Sequence, residues 1–284
     1  MDVLLTGASG FVGRHLLVAL AKKHRVVAMS RRPTGAPGEI IHDFADHLPG
    51  DRLPRRIDSI IHTAGIVGRQ ADWSSAYTRV NVEATNELAE YAIRAGAKRF
   101  VLFSTGGVYR RTEQQLTEES VVAPADEYAR SKLAAELAVQ TIKGELAVQV
   151  LRLFFPFGPT QRGRLIPNLI ERIAQDKPIR LANDIGQPLV TPLYIDDLIE
   201  YVRRVLFLPD SFVANVAGAE TASIRTLSNI IAGVLNRTAL FEVSEEMEIY
   251  NWQSDNDLIS RLTEYSCRVS VQAGIERTVA EMHI

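Results

Sequence analysis

Cysteine is almost absent from this sequence, where Cys267 stands alone among 284 residues. A single cysteine cannot form an internal disulfide, which favours a reducing compartment such as the cytoplasm. We expect it to pack in the core rather than to act as a nucleophile. The six histidines are scattered, and no cluster of cysteine and histidine has the spacing of metal ligands. No metal site is therefore expected.

Long apolar runs and blocks of like charge are also missing. No stretch of about 18 apolar residues suggests a membrane span. The first predicted strand begins almost at the N-terminus, so we expect no signal peptide. The formal net charge is −2, and the arginine pairs are isolated along the chain. Without a basic block interleaved with aromatic residues, nucleic acid is not an expected partner.

Glycines at regular spacing mark the start of the chain. Residues 3–5 are apolar and predict a strand buried on both faces, and leucines at helical spacing predict a helix that begins near Phe11. Gly7, Gly10 and Gly13 lie three residues apart in this region. A strand, a glycine turn and a helix form the layout that binds the pyrophosphate of a dinucleotide. The alternative is a tight turn without a ligand.

The next predicted strand, residues 26–29, ends in Ser30, Arg31 and Arg32. An acidic residue at this point would accept hydrogen bonds from the adenosine ribose and would repel a 2′-phosphate. Guanidinium groups instead pair with phosphate, so we expect NADP in preference to NAD. The alternative is that the arginines are merely exposed and the site accepts either cofactor. Asp43 is either an acceptor for the adenine amino group or a turn residue.

Strands and helices alternate through the first 160 residues, which predicts an α/β fold with a parallel sheet covered by helices on both faces. At 46% hydrophobic residues the chain can bury a sizeable core. We predict a Rossmann-type doubly wound sheet over residues 1–160. Residues 161–284 are predicted to form a smaller α/β substrate lobe, with elements that return to the main sheet.

Tyr128 and Lys132 are four residues apart in a predicted helix and therefore share one helical face. A phenol has a reference pKa of about 10, which a nearby ammonium lowers toward neutral pH. Tyr128 can then exchange a proton with a carbonyl or alcohol oxygen while a hydride moves at the adjacent carbon. Thr105, at a strand end, would hydrogen-bond the same oxygen. Lys132 would also hold the nicotinamide ribose.

These segments resemble the extended short-chain dehydrogenase/reductase family, in its NAD(P)-dependent epimerase/dehydratase/reductase branch. The matching segments, which span nearly the whole chain, are 6–13 (TGASGFVG), 62–65 (HTAG), 81–85 (NVEAT), 104–109 (STGGVY), 128–132 (YARSK), 151–159, 194–198 (YIDDL) and 273–276 (AGIE). The resemblance implies a Rossmann-type sheet, bound NAD(P), catalytic Thr105, Tyr128 and Lys132, and contact between Asp43 and adenine. Many relatives act on nucleotide-linked sugars and dimerise through a bundle of two helices from each subunit, which makes a homodimer possible.

The glycine turn, the strand ends and the resemblance together predict a set of cofactor contacts. They come from Gly7, Ser9, Gly10, Phe11, Val12, Gly13, Ser30, Arg31, Arg32, Asp43, Phe44, Thr63, Ala64, Gly65, Tyr128 and Lys132. Small residues at 62–65 would let the backbone approach the cofactor ribose.

The chain departs from the family pattern at positions that concern the substrate. Phe155 stands where relatives often have an asparagine that touches substrate, and Val190 is nearest to an arginine that grips the diphosphate. Loop arginines could replace that charge; they are Arg162, Arg164 and Arg225. Dehydratases of the group carry an Asp-Glu pair after the catalytic threonine, where this chain has Gly106 and Gly107. Dehydration is therefore disfavoured.

We interpret the chain as a cytoplasmic NAD(P)-dependent oxidoreductase that transfers hydride to or from a keto or hydroxyl carbon. A reductase that uses NADPH on a nucleotide-linked 4-keto sugar is favoured. One alternative is an NAD-dependent sugar epimerase with the same catalytic residues. Others are an enzyme for a non-sugar alcohol and a non-catalytic NAD(P)-binding sensor or scaffold.

Overall fold

The computed structural model describes residues 1–68, 74–244 and 246–282 of the chain. Strands alternate with helices through the first half, as the sequence predicts. These elements are β1 Asp2–Thr6, α1 Phe11–Leu20, β2 Arg25–Ser30, β3 Ile40–Ile41, β4 Ser59–His62, α2 Ser74–Tyr77, α3 Ala84–Arg94, β5 Arg99–Thr105, α4 Glu127–Gln140 and β6 Ala147–Leu153. A π-helical turn, Thr78–Glu83, lies between α2 and α3, and 3₁₀ turns occupy Gly50–Arg52 and Gly106–Val108.

Shorter elements follow in the second half. They are β7 Pro156–Phe157, α5 Leu165–Ala174, β8 Ile179–Leu181, β9 Leu189–Val190, β10 Leu193–Tyr194, α6 Ile195–Val205, β11 Phe212–Val216, β12 Ala222–Ser223, α7 Ile224–Leu235, β13 Phe241–Val243, α8 Asp257–Thr263 and α9 Val271–Ala280. Small two-stranded sheets pair β10 with β7, β12 with β9 and β13 with β8. Across the described ranges, no helix has both the length and the apolar character needed to cross a membrane.

The main sheet has seven strands among the described residues, in the order β11-β6-β5-β4-β1-β2-β3. The pairs β1–β2, β1–β4, β2–β3 and β4–β5 are all parallel. The strand order reverses between β1 and β4, and sheets of this kind bind ligands outside the carboxyl ends of the strands at that point. The predicted Rossmann-type α/β sheet is confirmed, and the glycine turn follows β1 at this switch point.

The central strands are buried on both faces because helices cover the two sides of the sheet. Leu4 and Leu5 of β1, Ile60 and Ile61 of β4 and Phe100 of β5 are all fully buried. Their apolar side chains leave no polar face along these strands. Along these strands, polar side chains that could bind a ligand or take part in a reaction are therefore found at the strand ends, and others lie on the helices beside them.

The chain divides into two compact units that are both discontinuous in sequence. The first comprises Met1–Arg110, Val121–Arg152 and Val202–Ala214, and the second comprises Arg111–Ser120, Leu153–Tyr201 and the chain from Asn215 onward. Most of β11, from the second half, thus belongs to the first unit. A division of the domains at residue 160, with later elements that return to the sheet, stays a prediction.

Leu4→Ala should lower the free energy of unfolding by about 2–5 kcal/mol, because it leaves a cavity in a fully buried central strand. Denaturant unfolding measures this change. Leu240→Ala is the matched control, since Leu240 is 47% exposed, and it should stay within about 0.5 kcal/mol of the wild type. Equal effects of the two substitutions would contradict the assigned core.

Candidate active site

The turn between β1 and α1 is built by close backbone approach. Gly7 has a φ of +70°, and a Cβ atom on it would lie 2.6 Å from the Ala64 backbone nitrogen. A Cβ on Gly13 would lie 2.1 Å from the Gly7 carbonyl oxygen. Gly10 N–H donates to that same oxygen at 2.8 Å, and α1 begins at the next residue, Phe11.

This geometry fits a dinucleotide phosphate. The first N–H groups of a helix have no acceptor within the helix, and the helix dipole favours an anion there. In α1 the first helical bond runs from Arg14 N–H to Gly10 O at 3.0 Å. Of the other predicted contact residues, Ser9 lies in the preceding turn, and Phe11 and Val12 are the first two residues of α1. A ligand phosphate can therefore approach backbone N–H groups without meeting a side chain on Gly10.

A hydrogen-bonded cluster fixes the ends of β1 and β4 beside this turn. Thr63 Oγ1 donates to the Thr6 carbonyl at 2.7 Å, and Ala64 N–H donates to Thr6 Oγ1 at 3.3 Å. His62 is fully buried, with Nδ1 2.6 Å from Thr6 Oγ1 and Nε2 3.0 Å from Thr85 Oγ1. Burial and the nearby Lys132 charge lower the pKa of His62 to about 3. The imidazole is therefore neutral and holds the two strand ends together.

The end of β2 presents the predicted adenosine site. Ser30 is buried, and its hydroxyl donates to the Arg32 carbonyl at 2.8 Å. Arg31 is exposed and Asp43 is half-buried. They form a loose ion pair, with Nη1 and Oδ2 3.9 Å apart. The arrangement brings a guanidinium and a carboxylate to one surface. Either group can meet a ligand here, the arginine through a phosphate and Asp43 through an amino group.

Phe44 occupies a different environment from the other predicted cofactor residues. Its side chain is 5% exposed and belongs to the apolar core. The ring packs at 5.1 Å from His42 and at 6.0 Å from His62, measured between ring centroids. Any cofactor contact at this position is thus left to the backbone.

Thr105 ends β5 and caps the 3₁₀ turn that follows it. Its Oγ1 accepts a hydrogen bond from Gly107 N–H at 3.1 Å. Because the hydroxyl oxygen is the acceptor in this bond, its proton remains able to donate to a ligand oxygen. A Cβ on Gly107 would lie 3.6 Å from Cβ of Ala129 in α4. The turn after Thr105 is therefore packed against the first turn of the helix that carries Tyr128.

Helix α4 begins with Asp126, whose side chain accepts from Ala129 N–H at 2.8 Å. Tyr128 and Lys132 follow on one face of this helix, as the spacing predicts. Tyr128 is half-buried, and its ring centroid is 6.2 Å from that of Tyr77. Lys132 is 5% exposed. Burial lowers the pKa of Lys132 to about 8, against the opposing influence of Glu136.

Asn81 is a buried residue that links two elements of the site. It lies in the π-helical turn and is 1% exposed. Its side chain accepts from Ile66 N–H at 2.9 Å and donates to Ser131 Oγ at 2.9 Å. Ser131 Oγ in turn donates to the Tyr128 carbonyl at 2.7 Å. Asn81 thereby joins the segment after β4 to the helix of Tyr128 and Lys132.

Gly65 depends on the same side chain. A Cβ on Gly65 would lie 3.1 Å from Asn81 Oδ1, so the predicted small residue at this strand end has a structural cause. A π-helical turn of this kind often marks a functional site. It leaves no pattern in the sequence, because Val80 and Val82 read as ordinary helical residues.

A family model described as the NAD dependent epimerase/dehydratase family matches residues 3–217. The chain belongs to this family. It is similar to an uncharacterized UDP-glucose epimerase, YtcB, of Bacillus subtilis, which is 27% identical with 99% of this chain and 97% of that protein covered. It is also similar to a GDP-6-deoxy-D-mannose reductase of Pseudomonas aeruginosa, which is 31% identical with 82% of this chain and 79% of that protein covered.

A solved structure supports the same assignment. The UDP-glucuronic acid 4-epimerase from Bacillus cereus, in complex with UDP-glucuronic acid and NAD, has a TM-score of 0.87 to this chain. The two are 26% identical, and 99% of this chain and 98% of that chain are covered. The resemblance to the epimerase/dehydratase/reductase branch is thus confirmed.

Two of the positions that differ from the family pattern, Phe155 and Val190, lie in the second unit. Phe155 has a φ of +43°, a left-handed conformation that is uncommon for a bulky residue. Val190 is 1% exposed and pairs with Ala222 between β9 and β12. It also forms an isolated bridge with Trp252. Val190 is therefore a packing residue in this unit.

The loop arginines of this unit differ in their surroundings. Arg162 and Arg164 are exposed. Arg225 Nε donates to the Asp184 carbonyl at 3.0 Å, and its guanidinium lies 4.4 Å from the centroid of the Phe241 ring. Arg225 is thus held by neighbours, whereas the other two side chains extend into solvent.

Asn81→Ala should lower the free energy of unfolding by about 1–3 kcal/mol, because the partly buried Ile66 N–H loses its acceptor. Denaturant unfolding measures this loss. Asn86→Ala is the control, since Asn86 is exposed on α3, and it should change the value by no more than about 0.5 kcal/mol. An Asn81→Ala variant as stable as the wild type would mean that the bond from Ile66 N–H to Asn81 is not formed in solution.

Proposed function

We propose that this chain is an NADPH-dependent reductase that transfers hydride to a keto carbon of a nucleotide-linked sugar. The observation that carries the proposal is the arrangement of Thr105 at the end of β5 with Tyr128 and Lys132 on one face of α4. The Rossmann-type fold and the family support an NAD(P)-type site here. The names of relatives make a nucleotide sugar the favoured class of substrate.

The chain's own groups divide the work of proton transfer and positioning. Tyr128 gives its phenolic proton to the carbonyl oxygen, and the Lys132 ammonium stabilises the phenolate that this leaves. Thr105 donates a hydrogen bond to the same oxygen and so fixes its position. The nicotinamide supplies the hydride when the cofactor is bound. With the cofactor bound, Lys132 would also hold its nicotinamide ribose.

The preference for NADP rests on the end of β2. Arg31 and Arg32 are exposed there, and Ser30 replaces the carboxylate that would repel a 2′-phosphate. NADPH in the cell serves reductions, and a site that consumes it carries out a net reduction. The solved relative named above binds NAD, so the cofactor preference separates this chain from it in our proposal.

A sugar 4-epimerase is the second candidate, and the names of the two epimerase relatives favour it. Such an enzyme oxidises and re-reduces one carbon with the same three residues, and it consumes no cofactor. A dehydratase is disfavoured because Gly106 and Gly107 offer no acid or base after Thr105. An enzyme for a non-sugar alcohol and a non-catalytic sensor are the remaining outcomes of the tests below.

A cytoplasmic location and a homodimer stay predictions. Exposed apolar side chains on two adjacent helices support the dimer: Ile93 on α3 is 42% exposed, and Leu137 on α4 is 63% exposed. Light scattering of the purified protein measures its oligomeric state directly.

Replacing both arginines, as Arg31→Gln with Arg32→Gln, should weaken NADPH binding by about tenfold or more, because charge-assisted bonds to the 2′-phosphate are lost. NADH binding should change less than about twofold, since that cofactor lacks the phosphate. Fluorescence titration of both cofactors measures these affinities. The double variant Arg55→Gln with Arg56→Gln removes an exposed pair elsewhere and serves as the control. NADH binding equal to or tighter than NADPH in the wild type would overturn the NADP assignment.

Tyr128→Phe should lower turnover by about 10²–10⁴-fold, because the proton donor is removed, while cofactor affinity stays near the wild-type value. The assay follows NADPH consumption with 4-keto nucleotide sugars, and in parallel the NMR spectrum of UDP-glucuronic acid with catalytic NAD. Tyr91→Phe is the control, since Tyr91 donates to the Pro54 carbonyl within the core. Epimerisation without net cofactor consumption would support the second candidate. Near-normal turnover by Tyr128→Phe would refute the mechanism.

A further inference from the structure

A buried charged network lies next to the helix face that carries Tyr128 and Lys132. Glu136 follows Lys132 at the same four-residue interval, so the three side chains lie along one face of α4. Glu136 is 4% exposed and Lys132 is 5% exposed. A carboxylate seldom occupies so buried a position unless other groups hold it there.

Arg152, from β6, holds this carboxylate at two points. Its Nη2 donates to Glu136 Oε2 at 2.7 Å, and its Nε donates to Oε1 at 3.1 Å. This forked contact fixes both oxygens of Glu136. Arg152 is itself 7% exposed. Neither side chain of the pair can reorient without leaving a charge buried and unpaired.

The same pair reaches the strand end that carries Thr105. Ser104 precedes Thr105 in β5, and its hydroxyl donates to Glu136 Oε1. Arg152 Nη1 donates to the Tyr109 hydroxyl at 2.9 Å, and its guanidinium lies 4.8 Å from the centroid of that ring. Tyr109 is fully buried just after the turn that Thr105 caps. The network therefore ties the chain on either side of Thr105, at Ser104 and Tyr109, to Glu136 of α4.

We propose that Glu136, held by Arg152, is a positioning residue that keeps Lys132 protonated and sets the spacing between Thr105 and Tyr128. This inference rests on the proposed function, in which Lys132 stabilises the phenolate and holds the cofactor ribose. It adds a role for residues that do not touch substrate or cofactor. The alternative is a buried ion pair that serves packing alone.

The charges around Lys132 determine in which direction its pKa should change when Glu136 is replaced. Burial lowers the pKa of Lys132 to about 8, and Glu136 acts in the opposite direction. His62 from β4 also interacts with Lys132, and its pKa of about 3 leaves it neutral. Tyr128 lies one turn away from Lys132 on the same helix. Lys132 therefore loses its proton as pH rises through about 8. Without the Glu136 charge it should do so at a lower pH.

The test measures the affinity for NADPH between pH 6 and pH 9.5 by fluorescence, and repeats it with NADH, which has no titrating 2′-phosphate. In the wild type, affinity should fall as Lys132 loses its proton. In Glu136→Gln the midpoint of this fall should move down by about one pH unit, because a neighbouring charge is lost. Where turnover is measurable, the alkaline limb of kcat should move in the same direction, with KM for substrate little changed.

Further variants separate positioning from folding. Glu136→Asp keeps the charge and should restore the midpoint toward the wild-type value. The double variant, Glu136→Gln with Arg152→Gln, removes both charges of the pair and so avoids a lone buried charge. The midpoint of the fall in affinity should still move to lower pH in this variant. Glu87→Gln is the matched control, since this partly buried carboxylate pairs with Arg79 elsewhere in the unit. Its midpoint should equal that of the wild type.

The outcomes distinguish this inference from the proposed function. A wild-type midpoint in both Glu136→Gln and the double variant, or a wild-type affinity that does not fall with pH, would overturn the inference and leave the reductase proposal standing. A shifted midpoint in a protein that turns over no keto substrate would support the action of Glu136 on Lys132. In that case only the proposed reaction would fail.

Discussion

Close approach of backbone to backbone at the switch point of the sheet is the constraint on which the site depends. The turn after β1, the start of α1 and the segment after β4 meet at distances that leave no room for Cβ atoms on Gly7 and Gly13. Only because side chains are absent there can the helix start reach the strand ends and offer its N–H groups to a phosphate. The hydrogen bonds of Thr6, His62 and Thr63 then fix the position of that turn.

Much of the fold could be predicted because the signals are local. Buried strands read as apolar runs, and the glycines, Thr105, Tyr128 and Lys132 stand at strand ends or at one helical interval. Their assembly follows from parallel topology, which brings the carboxyl ends of β1, β4 and β5 to one edge. For this reason, the structure of the first half of the chain is easier to predict from sequence than that of the second.

Other features depend on tertiary contacts and left no pattern. Asn81 looks like a solvated helix residue until the π-helical turn places it against Ile66 and Ser131. Glu136 and Arg152 look like ordinary charges, one in a helix and one in a strand, and only the fold pairs them. The helix α9 was not predicted because Gly274 and Thr278 share its buried face with Val271 and Ile275. Its apolar period is therefore weak.

The position of β11 has a consequence for dividing this protein. This strand comes from residues 212–216, yet it pairs beside β6 at the edge of the main sheet. A fragment that ended near residue 160 would keep the glycine turn, Thr105, Tyr128 and Lys132 but would uncover the backbone of β6. Exposed strand edges recruit other chains, so such a fragment would tend to self-associate. The half that carries the glycine turn therefore depends on a later part of the polypeptide to cover the edge of its sheet.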